Sequence, residues 1–321
     1  MSSRVKDQGS DLQGQRLKPS MKYVLITPAK NEIATIEMTI KSTIAQTLPP
    51  IRWIIVSDGS TDGTDELVMK YCARHLWIEL ARIPERGERH FAGKVEAFNV
   101  GYHLVQHIPH DLIGNLDADL SFDKDYFNFL VGKFMENPSL GVGGTPFREG
   151  EKSYDFRFSS IDHVSGACQL FRRQCFEDIG GYVPVKEGGI DVIAVLTARM
   201  HGWQTRTFTE KDYVHHRKMG TAKNTLLKTR FKGGQKDYAL GAHPLWIIFR
   251  GIYQMSGKPL LLGGILLISG YLFAMIKRKP RPVSRELIRF RRNDEMRRLR
   301  AFVGNLAGGS KLPKQSQDAP L

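Results

Sequence analysis

From Tyr23 onward, short apolar runs alternate with stretches of helical period, and that alternation leaves few folds open. Runs at residues 23–27, 53–56, 77–83 and 112–116 are apolar enough to be strands covered on both faces. Between them Leu67, Val68 and Tyr71 share one helical face, and Val95, Phe98, Tyr102 and Val105 share another. Each of those helices therefore has a stripe to lay on a sheet. A fourth helix is expected over residues 124–135, stopped by Asn137-Pro138. Strand, helix, strand in this order predicts an α/β fold of Rossmann-like type with a mostly parallel sheet and its ligands at the strands' C-terminal ends. After Gly150 the pattern loosens into a mixed half: a strand at 167–171, a turn at Gly180-Gly181, a helix at 191–200 and a strand at 204–209.

The 321 residues suffice for one such domain with an appended segment, and 41% apolar content excludes a fibrous or wholly disordered chain. Cys72, Cys168 and Cys175 form no paired framework, which excludes a disulfide scaffold and a cysteine zinc site and fits a reducing compartment. The formal charge of +14 is concentrated: residues 277–300 hold eleven Lys or Arg against three acids. Directly before them, residues 259–276 are 18 uncharged, mostly apolar positions. An apolar helix flanked by a basic cluster reads as a C-terminal membrane segment on an anionic cytoplasmic leaflet, either spanning or inserted monotopically. A nucleic-acid arm needs no such hydrophobic block, so no nucleic-acid partner is expected. Residues 1–20 are polar, without the apolar stretch of an export signal, and are expected to be a flexible leader.

Four clusters fall at the strand ends where this topology puts ligands. Thr27-Pro28-Ala29-Lys30-Asn31-Glu32 follows the first strand, and Ser57-Asp58-Gly59-Ser60-Thr61-Asp62-Gly63-Thr64 follows the second. In the second, Asp58 can accept hydrogen bonds from a ribose hydroxyl or a base N–H, while Asp62 suits a helix N-cap. Gly93-Lys94 opens a helix, where free N–H groups, the helix dipole and the ammonium favour an anion. Asn115-Leu116-Asp117-Ala118-Asp119 closes the fourth strand with two carboxylates one residue apart, which repel unless a cation lies beside them. Oxygen donors of this kind suit Mg²⁺ or Mn²⁺ with a pyrophosphate completing the shell.

Taken in order, these clusters together with Asn99, Gly166-Ala167 and Gly180-Gly181-Tyr182 resemble the family 2 glycosyltransferases of the glycosyltransferase-A fold, over roughly residues 22–217. The resemblance implies that Thr27, Pro28, Ala29, Glu32 and Asp58 surround the donor's nucleoside. It implies Lys94 near the nucleoside or its phosphates, Asp117 on the ribose, and Asp119 holding the metal on the diphosphate, with His215 completing the metal site. Gly166 and Ala167 would border the acceptor. Family members carry a Glu-Asp pair before a helix; here Ile190 replaces the Glu, and Asp191 remains as the catalytic base of an inverting transfer. Processive synthases of the family add Gln-x-x-Arg-Trp, whereas residues 227–231 read Leu-Lys-Thr-Arg-Phe, which favours single addition.

The expected organisation is a leader (1–20), a catalytic domain (21–217, divided at 120 into nucleotide-sugar and acceptor halves), a helical membrane-associating region (218–300) and a flexible tail (301–321). The expected partners are a nucleotide-diphosphate sugar, a hydroxyl-bearing glycan or lipid-linked acceptor, and an anionic membrane surface at its cytoplasmic face, in polysaccharide or glycolipid synthesis. Two other readings stay open. A sugar nucleotidyltransferase also uses Asp pairs, but it opens on a glycine-rich phosphate loop that residues 28–32 do not form. A non-catalytic membrane adaptor with a degenerate transferase domain is the other.

Overall fold

The computed structural model describes residues 21–84, 91–149, 160–186, 188–217, 226–255 and 261–307. The leader expected over 1–20, the first two residues of the apolar run and the end of the tail lie outside them.

Strands β1 (Tyr23–Ala29), β2 (Arg52–Asp58), β3 (Ile78–Ile83) and β4 (Leu112–Leu116) alternate with helices α1 (Ile36–Ile44), α2 (Thr64–Cys72) and α3 (Phe91–Val105). Next come β5 (Leu120–Phe122), α4 (Tyr126–Glu136), β6 (Leu140–Gly144), β7 (Phe147–Arg148), β8 (Cys168–Arg172), α5 (Arg173–Asp178), α6 (Ile190–Met200), β9 (Gln204–Thr207) and β10 (Tyr213–His215). One seven-stranded sheet runs β3-β2-β1-β4-β8-β6-β9, parallel except for β8, which is antiparallel to both its neighbours.

The period of two in β1 sorts its side chains into two cores. Tyr23 and Leu25 join Ile36, Ile40, Val68 and Phe127 on one face, while Val24 and Ile26 join Val95, Phe98 and Ala198 on the other. Each such fully buried aliphatic side chain contributes about 1.5–3 kcal/mol relative to exposure. With helices on both faces, the strands' C-terminal ends are the open rim.

A second sheet, β5-β10-β7, decides what happens at that rim. In it β10 pairs antiparallel with β5, setting His215 opposite Leu120, and the N–H of His216 donates to the carbonyl of Asp119 at 2.9 Å. A histidine 96 residues away in sequence is thereby fixed beside the second aspartate of the strand-end cluster.

The C-terminal part corrects one expectation. No helix among the described residues is long and apolar enough to cross a membrane. The apolar run forms α9 (Leu262–Ile276), 15 residues or about 22 Å, against about 30 Å of bilayer core. Its glycines serve protein packing: a Cβ on Gly264 would collide with the carbonyl of Gly251 in α8 (Pro244–Gln254), and one on Gly270 with the carbonyl of Phe231 in α7 (Leu226–Ala239). Gly234 of α7 meets the Leu267 carbonyl in the same way. The backbones approach this closely only because no side chain intervenes. Tyr271 then packs on Tyr238 with ring centroids 5.6 Å apart and donates to the carbonyl of Ala242 at 2.8 Å.

The basic cluster belongs to α10 (Arg285–Ala307), which docks on α6 and α8 through buried ions. Buried Asp237 accepts from Arg250 at 2.8 Å and Arg291 at 3.0 Å. Arg291 also donates to Glu295, whose other oxygen accepts the N–H of His243, and Asp294 takes a bidentate pair from Arg199. Burial raises the Asp237 carboxyl, but Arg250, Arg291 and Lys236 outweigh it and hold it below the usual range. Every buried charge here has a partner, without which its desolvation would unfold the segment.

Candidate active site

The loop after β1 is built to lock onto the loop after β2. Asn31 sits at φ 54°, a left-handed position that Asn tolerates better than most residues. From there its backbone N–H donates to Ser60 Oγ at 3.1 Å, and its side-chain oxygen accepts the Thr61 N–H at 2.8 Å. Asp62 is not the N-cap of α2; that residue is Gly63, at φ 93°. Asp62 instead accepts from Thr64 and, across the loops, from the Ile33 N–H at 3.1 Å. Burial pushes its carboxyl up, and these hydrogen bonds more than offset that, leaving it below the usual range.

Within this frame the expected donor residues divide. Thr27 is fully buried and its hydroxyl accepts from Trp53 Nε1 at 2.9 Å, so its side chain serves the core. Pro28 and Ala29 are strand backbone, paired with Val56 and Ser57. Asp58 ends β2 half-buried, and its Oδ1 is buried without a hydrogen-bond partner. Glu32 is buried, and Arg217 grips its carboxylate through both terminal nitrogens.

The two aspartates after β4 face different neighbours. Asp117 Oδ1 takes Lys94 Nζ at 2.5 Å and Asn115 Nδ2 at 3.2 Å. Asp119 is buried, with His215 Nε2 at 3.6 Å and Arg217 Nε at 4.0 Å. The other ring nitrogen of His215 lies 3.4 Å from Glu149. Burial first, and the neighbouring Asp117 second, push the Asp119 carboxyl up to about 6 against the pull of His215 and Arg217.

Asn115 ties this cluster to Gly166 and Ala167, the residues expected to border the acceptor. Its Nδ2 also donates to the Gly166 carbonyl at 2.6 Å, and the Asp117 N–H donates to the Ala167 carbonyl at 2.8 Å. Gly166 lies flat on Asp191: a Cβ there would come within 2.7 Å of Asp191 Cβ. Gly189, at φ 88°, is the N-cap of α6, so the Asp191 carboxylate is not used as a cap; it lies 4.0 Å from His163 Nε2.

Asp117, Asp119 and His215 each bring a ligand atom within 4.8 Å of the others. Asp119 Oδ1 and His215 Nδ1 are buried without hydrogen-bond partners. Glu32, Asp117, Asp119 and Glu149 outweigh Lys94 and Arg217 by two formal charges, so the donor set fits a divalent cation. Sequence reading missed Arg217, Glu149 and His163. Arg217 alone left a signal, a cation directly after the His215-His216 pair.

Comparison with known folds places the chain among glycosyltransferase-A-like α/β proteins. The chain superposes on the Staphylococcus aureus TarS 1–349 structure with a TM-score of 0.53 at 14% identity, covering 81% of this chain and 73% of that one. A mannosyltransferase from Pyrobaculum calidifontis in complex with GDP-Man and Mn²⁺ gives 0.52 at 18% identity, covering 90% and 81%. Residues 24–177, just under half of the chain, match the model of glycosyl transferase family 2. Curated relatives include poly-beta-1,6-N-acetyl-D-glucosamine synthases of Staphylococcus epidermidis, 25% identical over 174 residues, and of Staphylococcus aureus strain COL, 27% over 170. In each case the match covers 47% of this chain and 39% of the relative's length.

Proposed function

We propose that this protein moves one sugar from a nucleotide-diphosphate sugar to an acceptor hydroxyl, with inversion, during polysaccharide or glycolipid assembly. The observation that carries this reading is the convergence of Asp117, Asp119 and His215, with Asp119 Oδ1 buried without a hydrogen-bond partner beside His215 Nε2. Asp119 and His215 would hold Mg²⁺ or Mn²⁺ with Asp117 beside them, and the bound ion would supply positive charge to the departing diphosphate. Asp58, with its free Oδ1, accepts from the nucleoside, and Glu32 stays fixed by Arg217 to shape that pocket. Lys94 sits at the start of α3, on the ribose and phosphate side.

Asp191 accepts the proton of the acceptor hydroxyl as its oxygen bonds to the anomeric carbon and the bond to the diphosphate breaks, releasing the nucleoside diphosphate. A lone carboxylate on that face acts as a base, and one displacement inverts the centre. Donor binding is supported by structural relatives solved with UDP-GlcNAc and with GDP-Man and Mn²⁺. Single addition is favoured because residues 227–231 lie in α7 and pack on α9 without the Gln and Trp of processive synthases. Exposed Leu245 and Ile252 of α8 and Leu262 and Ile276 of α9, with Lys277-Arg278-Lys279 directly after Ile276, suit peripheral contact with an anionic cytoplasmic leaflet.

The test is calorimetry of the intact chain with UDP-, GDP- and dTDP-sugars, with and without Mn²⁺. Ion-linked uptake of one donor that Asp119→Ala removes is the expected result. Uptake of no donor, with or without the ion, refutes the reading.

A further inference from the structure

A cavity of about 670 Å³ lies behind Asp191, between α6, α7, α8, α10 and residues 160–163. Two of its lining residues approach the candidate base. His163 stands 4.0 Å from the Asp191 carboxylate, and the stem of Lys236 runs beside Gly189 at the head of α6. Trp246, Phe249 and Tyr253 of α8 supply aromatic surface.

The charges of this cavity are unequally used. Asp237 and Glu295, both buried, are committed to Arg250, Arg291 and the N–H of His243. Arg199 is committed to Asp294. The Lys236 ammonium makes no hydrogen bond among the described residues, while its backbone carbonyl accepts from the Leu240 N–H at 2.9 Å. Arg298 faces Asp294 at 3.2 Å, yet its buried Nε makes no hydrogen bond, and its guanidinium lies 4.8 Å from the centre of the Trp246 ring. Both cations act on His163, helping burial to hold its imidazole below its usual range. Two cations, an imidazole and an aromatic wall therefore surround a space that reaches the base through His163, 4.0 Å from the Asp191 carboxylate.

We propose that this cavity is the acceptor site and that it selects a saccharide carrying an oxyanion, with the anionic group on Lys236 and Arg298 and the sugar on the face of α8. The proposal rests on the glycosyl-transfer reading above, whose acceptor it specifies. Phosphate and carboxylate share the chemistry that these cations recognise. An aromatic wall beside them suits a sugar ring, whose C–H faces are apolar.

The test is calorimetry on the intact chain, in chelator so that the donor site holds no ion. The probes are inorganic phosphate, an oligoglucuronate and a neutral glucan oligosaccharide of the same length. Phosphate or oligoglucuronate should bind at least about tenfold more tightly than the glucan, and Lys236→Gln should weaken that binding about tenfold, as expected for one charge-assisted hydrogen bond. Which charged probe binds separates a phosphate-bearing acceptor from a uronate-bearing one. Trp246→Phe, which keeps an aromatic ring, should preserve the preference for charge while removing any ligand-induced change in tryptophan fluorescence. Equal binding of glucan and charged probes, binding of no probe, or indifference to Lys236→Gln overturns the proposal. Donor uptake with Mn²⁺, measured separately on the same variants, should be unchanged; its loss in the unsubstituted chain would strike the glycosyl-transfer reading instead.

Discussion

At the scale of residues, Asp119 carries the clearest conflict between stability and use. A buried carboxyl with its pKa raised to about 6 keeps its proton in the fold at a pH where the unfolded chain has lost it. Between about pH 4 and 6 the folded state therefore binds more protons, and stability falls as pH rises through that window. Above it the ionised group is a standing cost. Asp119→Asn is accordingly expected to stabilise the ion-free protein at pH 7.5 by about 1–3 kcal/mol, read by denaturant midpoint, while abolishing ion-linked donor uptake. In the unsubstituted chain, Mn²⁺ affinity should drop as pH falls below about 6, where protons compete for the same oxygen. Asp191→Asn should lower turnover about 10²–10⁴-fold with donor affinity kept; retained turnover would remove its role as base. The strand-end aspartates were legible because two adjacent carboxylates need a reason. Glu149 and His163 were not, since each reaches the site from a segment with no local pattern of its own, and Arg217 was marked only by its place directly after His215-His216.

Elements were legible in proportion to how much their own sequence decides them. β1, β2 and β4 read correctly because burial on both faces demands unbroken apolar runs. β6 was missed because Leu140-Gly141-Val142-Gly143-Gly144 has little strand propensity; the glycines stand there because Cys175, Trp203, Phe134 and Val164 occupy the space a Cβ would need. β5, β7 and β10 are two or three residues long and exist only through mutual pairing. The apolarity of α9 was read as a lipid preference, whereas the glycine contacts with α7 and α8 use it as protein core. Gly270→Val should force α9 from α7 and cost about 1–3 kcal/mol, measured by thermal unfolding. Asp237→Ala should cost more, about 3–5 kcal/mol, because it strands Arg250 and Arg291 in a buried site.

Across the whole molecule, the site is an assembly of distant contributions: the Asp191 carboxylate on α6, carboxylates after β4, loops after β1 and β2, and an imidazole on β10. The sheet order brings the loops and the carboxylates to one rim, which sequence alone foretold. The second sheet supplies the imidazole, which only the pairing of β10 with β5 reveals. On a nascent chain, β1 to β4 leave the ribosome well before the residues that complete that pairing. Until residue 217 has emerged, the Asp119 carboxylate has neither His215 nor Arg217 beside it, so an unfinished chain lacks the imidazole and guanidinium that frame it.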